Sequence, residues 1–132
     1  MDRVLDRLWI GANEDLEHPH VLGALGFAGI VDLRGGGEPR ITEALTIQNR
    51  DGDPWSKEQV RAAIDYIHDK LALGPVLVAC AAGMSRSASM VIAYLVRTGW
   101  AADAAYRHVK SVRPIICPMP AMLTSAVEAV RV

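Results

Sequence analysis

Only two cysteines, Cys80 and Cys117, occur among the 132 residues, too few for a disulfide framework and in keeping with reduced thiols. Charge of neither sign prevails: 14 Lys and Arg against 15 Asp and Glu leave a net charge of −1, without the basic surface that nucleic-acid binding needs. No apolar run approaches the roughly eighteen residues of a membrane span. The opening Met-Asp-Arg-Val-Leu-Asp-Arg-Leu carries charges where a signal peptide would be apolar. These absences predict a cytoplasmic chain with no nucleic-acid and no membrane partner. Gly23, Gly26 and Gly29 miss the G-x-G-x-x-G spacing of a dinucleotide loop, and no G-x4-G-K-[ST] nucleotide loop occurs. No Cys/His spacing suggests a metal: His18 and His20 around Pro19 read as a solvated turn, and His68 and His108 as surface residues on helices. Without linker, repeat or low-complexity tract, residues 1–132 read as one domain large enough to bury a core, its oligomeric state left open with a monomer the expectation.

What is present alternates between strand and helix. An edge strand is expected at 8–11, a short helix at 21–27, and a strand with one strongly buried face at 29–33. Gly35-Gly36-Gly37 breaks regular structure before a β-leaning stretch at 45–48 and the turn Asp51-Gly52-Asp53-Pro54. Ser56 with Gln59 forms a capping box, after which Val60, Ala63, Ile64, Ile67 and Leu71 recur at helical spacing until Gly74-Pro75. A central strand follows at 76–78, then a helix at 87–98 that is apolar on nearly all sides, then helices at 101–112 and 120–130. This order predicts an α/β fold, a sheet covered by helices on both faces, with ligands beyond the C-terminal ends of the strands.

One segment carries the chemistry: Cys80-Ala81-Ala82-Gly83-Met84-Ser85-Arg86-Ser87. A strand, a tight loop of small residues and a helix start aim successive backbone N–H groups and the positive end of a helix dipole at one point. A dianionic phosphate fits such a cup, and Arg86 grips it with a two-pronged guanidinium. The same field suits a thiolate nucleophile at Cys80. Gly83 permits the close backbone approach, and Ala81, Ala82, Gly83, Met84, Ser85 and Arg86 form the phosphate loop.

The C-x5-R spacing with the following serine, extended as Cys80 to Leu95 and joined by Ser111-Val-Arg-Pro-Ile-Ile116, resembles the dual-specificity phosphatases of the cysteine-dependent protein tyrosine phosphatase superfamily. The likeness runs from about Arg7 to Leu123. It implies a three-layer phosphatase-like fold with a mostly parallel sheet of about five strands, no cofactor, and a phosphorylated protein or peptide as partner. It also implies roles. Cys80 attacks phosphorus to give a phosphocysteine, Arg86 and the loop amides stabilise the equatorial oxygens, and the Ser87 hydroxyl bonds the departing sulfur. The family's acid is an aspartate about thirty residues before the cysteine, on a mobile loop ahead of a helix. Asp51 and Asp53 both stand there, and Asp51 is preferred because it follows the strand-like 46–50 directly.

Two positions depart from the family. Ala79 replaces the usual histidine, which helps hold the loop and the thiolate, so a slower enzyme is expected; Met119 replaces an asparagine. The leading reading is a protein phosphatase for phosphotyrosine and phosphoserine/phosphothreonine. With a single Phe and no insertion to build deep aromatic walls, its pocket should be shallow. The alternatives are the same chemistry on a phosphoinositide, nucleotide or RNA 5′-phosphate, or a phosphate-binding pseudophosphatase. Cys117 reads as a packed thiol, or as one that pairs with Cys80 on oxidation.

Overall fold

The computed structural model describes residues 1–131. Its centre is a five-stranded sheet in the order β1-β2-β5-β3-β4. The strands are β1 (Asp2–Arg3), β2 (Leu8–Gly11), β3 (Gly29–Asp32), β4 (Leu45–Thr46) and β5 (Val76–Ala79). All neighbours run parallel except β1 against β2. Every residue of β3 and β5 is buried, as expected of parallel strands covered on both faces.

The pleat sorts side chains by period two into two cores. Leu8, Ile10, Val31, Val76, Val78 and Cys80 face a thick layer formed by α2 (Lys57–Leu71), α3 (Arg86–Arg97), α4 (Ala102–Val112) and α5 (Pro120–Val130). Ile30, Leu77 and Ala79 face a thinner layer with Leu16 of a 3-10 turn (Asn13–Leu16) and Leu22 of α1 (Pro19–Ala24). The α3 helix is central: Ser87 to Leu95 are all buried, and it packs against α2, α4, α5 and the sheet.

Three sequence expectations need correction. The 8–11 strand is not at the edge, because β1 adds outside it through the pairs Asp2–Ile10 and Arg3–Trp9. The 29–32 strand is buried on both faces, Asp32 included, because that carboxylate pairs with Arg34. His108 is not a surface residue: its Nε2 lies 2.6 Å from the Val4 carbonyl oxygen, and its ring packs on Trp100 at 5.1 Å between centroids.

Local signals explain the segment ahead of the site. Ser56 caps α2 by accepting from Gln59 N–H at 3.1 Å, while the Gln59 Oε1 accepts from Ser56 N–H at 3.0 Å. Gln59 Nε2 also donates to the Gln48 carbonyl at 3.0 Å, tying the cap to the strand-like segment before Asp51. No helix among the described residues is long and apolar enough to cross a membrane.

Candidate active site

The β5 strand ends in the middle of the sheet, so the chain leaving it emerges at the C-terminal edge, where a ligand meets only loops. Cys80 is the first residue out, 2% exposed, and α3 begins at Arg86. Loop 81–85 must turn sharply between them, and Gly83 takes φ +66°, a left-handed conformation that an L side chain rarely adopts. A Cβ there would also sit 2.7 Å from the Gly11 carbonyl oxygen and collide with the Arg113 guanidinium.

The polar groups of this loop are sorted by partner. The Ala81 carbonyl accepts from Asn13 N–H at 2.9 Å, the Met84 carbonyl from Cys117 N–H at 2.8 Å, and the Ser85 carbonyl from Ser89 N–H at 2.9 Å. Arg113 Nε donates to the Gly83 carbonyl at 2.8 Å, and its Nη2 to the Ala82 carbonyl at 3.4 Å. All five carbonyls therefore have donors among the described residues. The N–H groups of residues 81–86 have no acceptor among the described residues. Such a run of unpaired amides at a helix start makes a concave positive site.

That site opens into a cavity of about 380 Å³ whose lining includes Cys80, Arg86 and Asp51, with Met84, Cys117 and Met119 at its walls. Cys80 Sγ and Ser87 Oγ lie 3.2 Å apart, within hydrogen-bond reach, and Ser87 is fully buried. Arg86 is half-buried, and its Nη1 donates to the Asn49 carbonyl at 3.3 Å, which fixes the guanidinium beside the loop that carries Asp51. Asp53 lines the adjoining depression with Arg50 and Gln48 rather than the one holding Cys80.

The loop that carries Asp51 is itself anchored. Gly52, at φ +96°, directs its N–H to Met122 Sδ at 3.3 Å, and Trp55 N–H donates to Ser125 Oγ at 2.8 Å, both on α5. The buried Trp55 ring donates through Nε1 to Ser89 Oγ at 3.0 Å, and Ser89 donates in turn to the Arg86 carbonyl at 2.8 Å. One hydrogen-bonded chain thus connects the loop of Asp51 to the backbone of Arg86.

The positions that depart from the family also have clear surroundings. Ala79 is fully buried, and its side chain faces the thin layer, across the sheet from Cys80. Met119 is 42% exposed, and its N–H donates to Ser85 Oγ at 3.0 Å. Cys117 is exposed, free, and lines the same cavity as the buried Cys80. His18 and His20 sit together away from this cavity, and no group of three His, Cys, Asp or Glu among the described residues could hold a metal. Sequence reasoning gave Arg113 no role, although the Ser111–Ile116 segment that contains it carries part of the resemblance.

Residues 9–130 match the model of the dual specificity phosphatase catalytic domain. The chain is 31% identical over 125 residues to dual specificity protein phosphatase 22-A of Danio rerio, covering 89% of this chain and 59% of that protein. It is also 31% identical over 139 residues to the phosphatidylglycerophosphate phosphatase PTPMT1 of Arabidopsis thaliana, covering 96% of this chain and 41% of that one. The chain spans as little as 9% of other curated relatives. Among solved structures, a human tyrosine phosphatase-like serine/threonine/tyrosine-interacting protein superposes with a TM-score of 0.86 at 26% identity, over 97% of this chain and 93% of that one. With nearly its whole length matched by that family model, the chain belongs to the dual specificity phosphatases.

Proposed function

We propose that this chain is a cysteine-dependent phosphatase that removes phosphate from phosphotyrosine and phosphoserine/phosphothreonine through a phosphocysteine intermediate. The observation that carries the reading is the loop's hydrogen bonding: carbonyls of 81–85 each held by a donor, amides of 81–86 left free, and a buried cysteine beside them. This arrangement suits three equatorial phosphoryl oxygens and a sulfur in line behind phosphorus.

The geometry supports the following order of steps. Substrate phosphate settles on the amides and the Arg86 guanidinium, whose fork meets two oxygens at once. The Cys80 thiolate attacks phosphorus, the S–P bond forms, and the P–O bond to the leaving group breaks. Asp51, lining the same cavity, gives its proton to the leaving oxygen. Water then attacks phosphorus, the Asp51 carboxylate takes its proton, and the S–P bond breaks. Ser87, 3.2 Å from Cys80 Sγ, donates to the departing thiolate.

A cavity walled by Met84, Met119 and Cys117 rather than by aromatic rings suits a short phosphoserine as well as a long phosphotyrosine. The second reading keeps the chemistry and changes the substrate to a non-protein phosphate, and the likeness to the Arabidopsis phosphatidylglycerophosphate phosphatase favours it. A panel of p-nitrophenyl phosphate, phosphopeptides and phosphoinositides separates them. Higher kcat/KM on phosphopeptides of both kinds supports the first. A preference for phosphoinositides moves the assignment to the second, and vanadate binding without any turnover contradicts both.

A further inference from the structure

The loop's carbonyls need donors, and those donors are of two kinds. A peptide that turns its N–H into a cup turns its carbonyl out, and a carbonyl withdrawn from water without a donor is costly. At residues 81, 84 and 85 the donors are backbone N–H groups, supplied by the fold whatever the side chains. At Ala82 and Gly83, the middle of the loop, the donors come from the single side chain of Arg113. We propose that Arg113 is the positioning residue of the phosphate loop and that Asp2 is the counter-ion that holds it in place. The proposal rests on reading 81–86 as an oxyanion cup.

The geometry fits a guanidinium and no other side chain. Arg113 is 8% exposed and follows α4 directly. Its Nε and Nη2 reach two successive carbonyls, while Nη1 donates to Asp2 Oδ2 at 2.8 Å on the edge strand. A planar fork makes three such bonds in fixed directions, whereas a lysine ammonium is a compact point donor on a flexible stem. Close approach is possible because residue 83 is glycine: a Cβ there would collide with Arg113 Nη2. Arg113 acts from behind the loop, does not line the cavity, and influences chemistry only through the loop's conformation.

The test compares wild type with Arg113→Lys, Arg113→Met and Asp2→Asn. Each protein is first shown folded by circular dichroism and its thermal midpoint. Vanadate affinity, then kcat and KM for p-nitrophenyl phosphate, are measured on the same samples. The expected result is a loss of about tenfold or more in vanadate affinity and in kcat for both Arg113 variants, with little rescue by lysine. Asp2→Asn, which leaves both carbonyl bonds in place, should lose less than either. Folded Arg113→Lys with wild-type vanadate affinity and kcat overturns the proposal, as does an Arg113→Met variant that loses only thermal stability. If Arg113→Met does not fold, the lysine variant and Asp2→Asn decide. A wild type that binds vanadate but hydrolyses nothing contradicts the phosphatase reading, and the positioning role is then judged by the vanadate ratio alone.

Discussion

Ser87 Oγ lies 3.2 Å from Cys80 Sγ, and both side chains are closed off from solvent at the start of α3. A donor placed there matters most when the sulfur carries full negative charge, which in the proposed mechanism is when phosphate leaves it. A hydrogen bond to a charged group contributes about 1.5–3 kcal/mol, a factor of roughly ten to a hundred in rate. Ser87→Ala should therefore slow breakdown of the phosphocysteine more than its formation. Rapid-quench kinetics with p-nitrophenyl phosphate should show a burst of nitrophenol followed by a steady state about ten to a hundred times slower than wild type. Equal slowing of both phases would show that the serine has no separate role in the second step.

Asp51 lines the cavity that holds Cys80, whereas Asp53 lines the neighbouring depression with Arg50. A general acid contributes about a hundredfold to ten-thousandfold in rate. Its loss falls hardest on leaving groups that depart poorly without a proton. Asp51→Asn should lower kcat on alkyl phosphates far more than on aryl phosphates and flatten the decline of kcat from acidic to neutral pH. The same pattern in Asp53→Asn, with Asp51→Asn near normal, would transfer the role two residues along the chain.

Arg34 and Asp32 form a buried pair, Nη2 to Oδ2 at 3.0 Å with side chains 5% and 3% exposed. Arg34 also donates through Nη1 to Asn13 Oδ1 at 2.8 Å, so it ties the end of β3 to the 3-10 turn that bonds the Ala81 carbonyl. Hydrogen bonding and charge from Asp32 raise the Arg34 pKa further above its already high ordinary value. A group whose folded pKa is raised keeps its stabilising contribution below the unfolded value, so the arginine side of the pair stays charged at any working pH. Arg34→Met leaves Asp32 buried without its counter-charge and should cost about 3–5 kcal/mol. Urea unfolding near neutral pH measures this. A change under about 1 kcal/mol would place the pair among surface-like ion pairs of little consequence.

The parts legible in the sequence are those whose causes are local. The cap at Ser56, the run from β5 through the loop to α3, and the limits of α5 at Pro120–Val130 each follow from neighbouring residues. The misreadings arise where no periodic pattern marks the partner, whether it is near or far in the chain. β1 is a two-residue strand with no periodicity to read, so nothing near Leu8 shows that β2 lies inside it. The 29–32 strand is buried on its second face as well because Arg34, two residues beyond Asp32, folds back on that carboxylate. The His108 contact to Val4 and the Arg113 contacts to Ala82, Gly83 and Asp2 span 104, 31, 30 and 111 residues. Residues 80–87 form one contiguous pattern in the sequence. The donors that orient them lie on other elements, and no spacing rule reaches those.

In the proposed reaction phosphorus passes through Cys80. Acid quenching of Ser87→Ala during turnover of p-nitrophenyl phosphate, followed by mass spectrometry of the peptide carrying Cys80, measures it directly. A phosphoryl group on Cys80 should appear, and Cys80→Ser should show neither adduct nor turnover while still binding vanadate at the loop amides. A Cys80→Ser protein that retains turnover, or a quenched Ser87→Ala protein that turns over with no phosphoryl group on Cys80, would contradict the account.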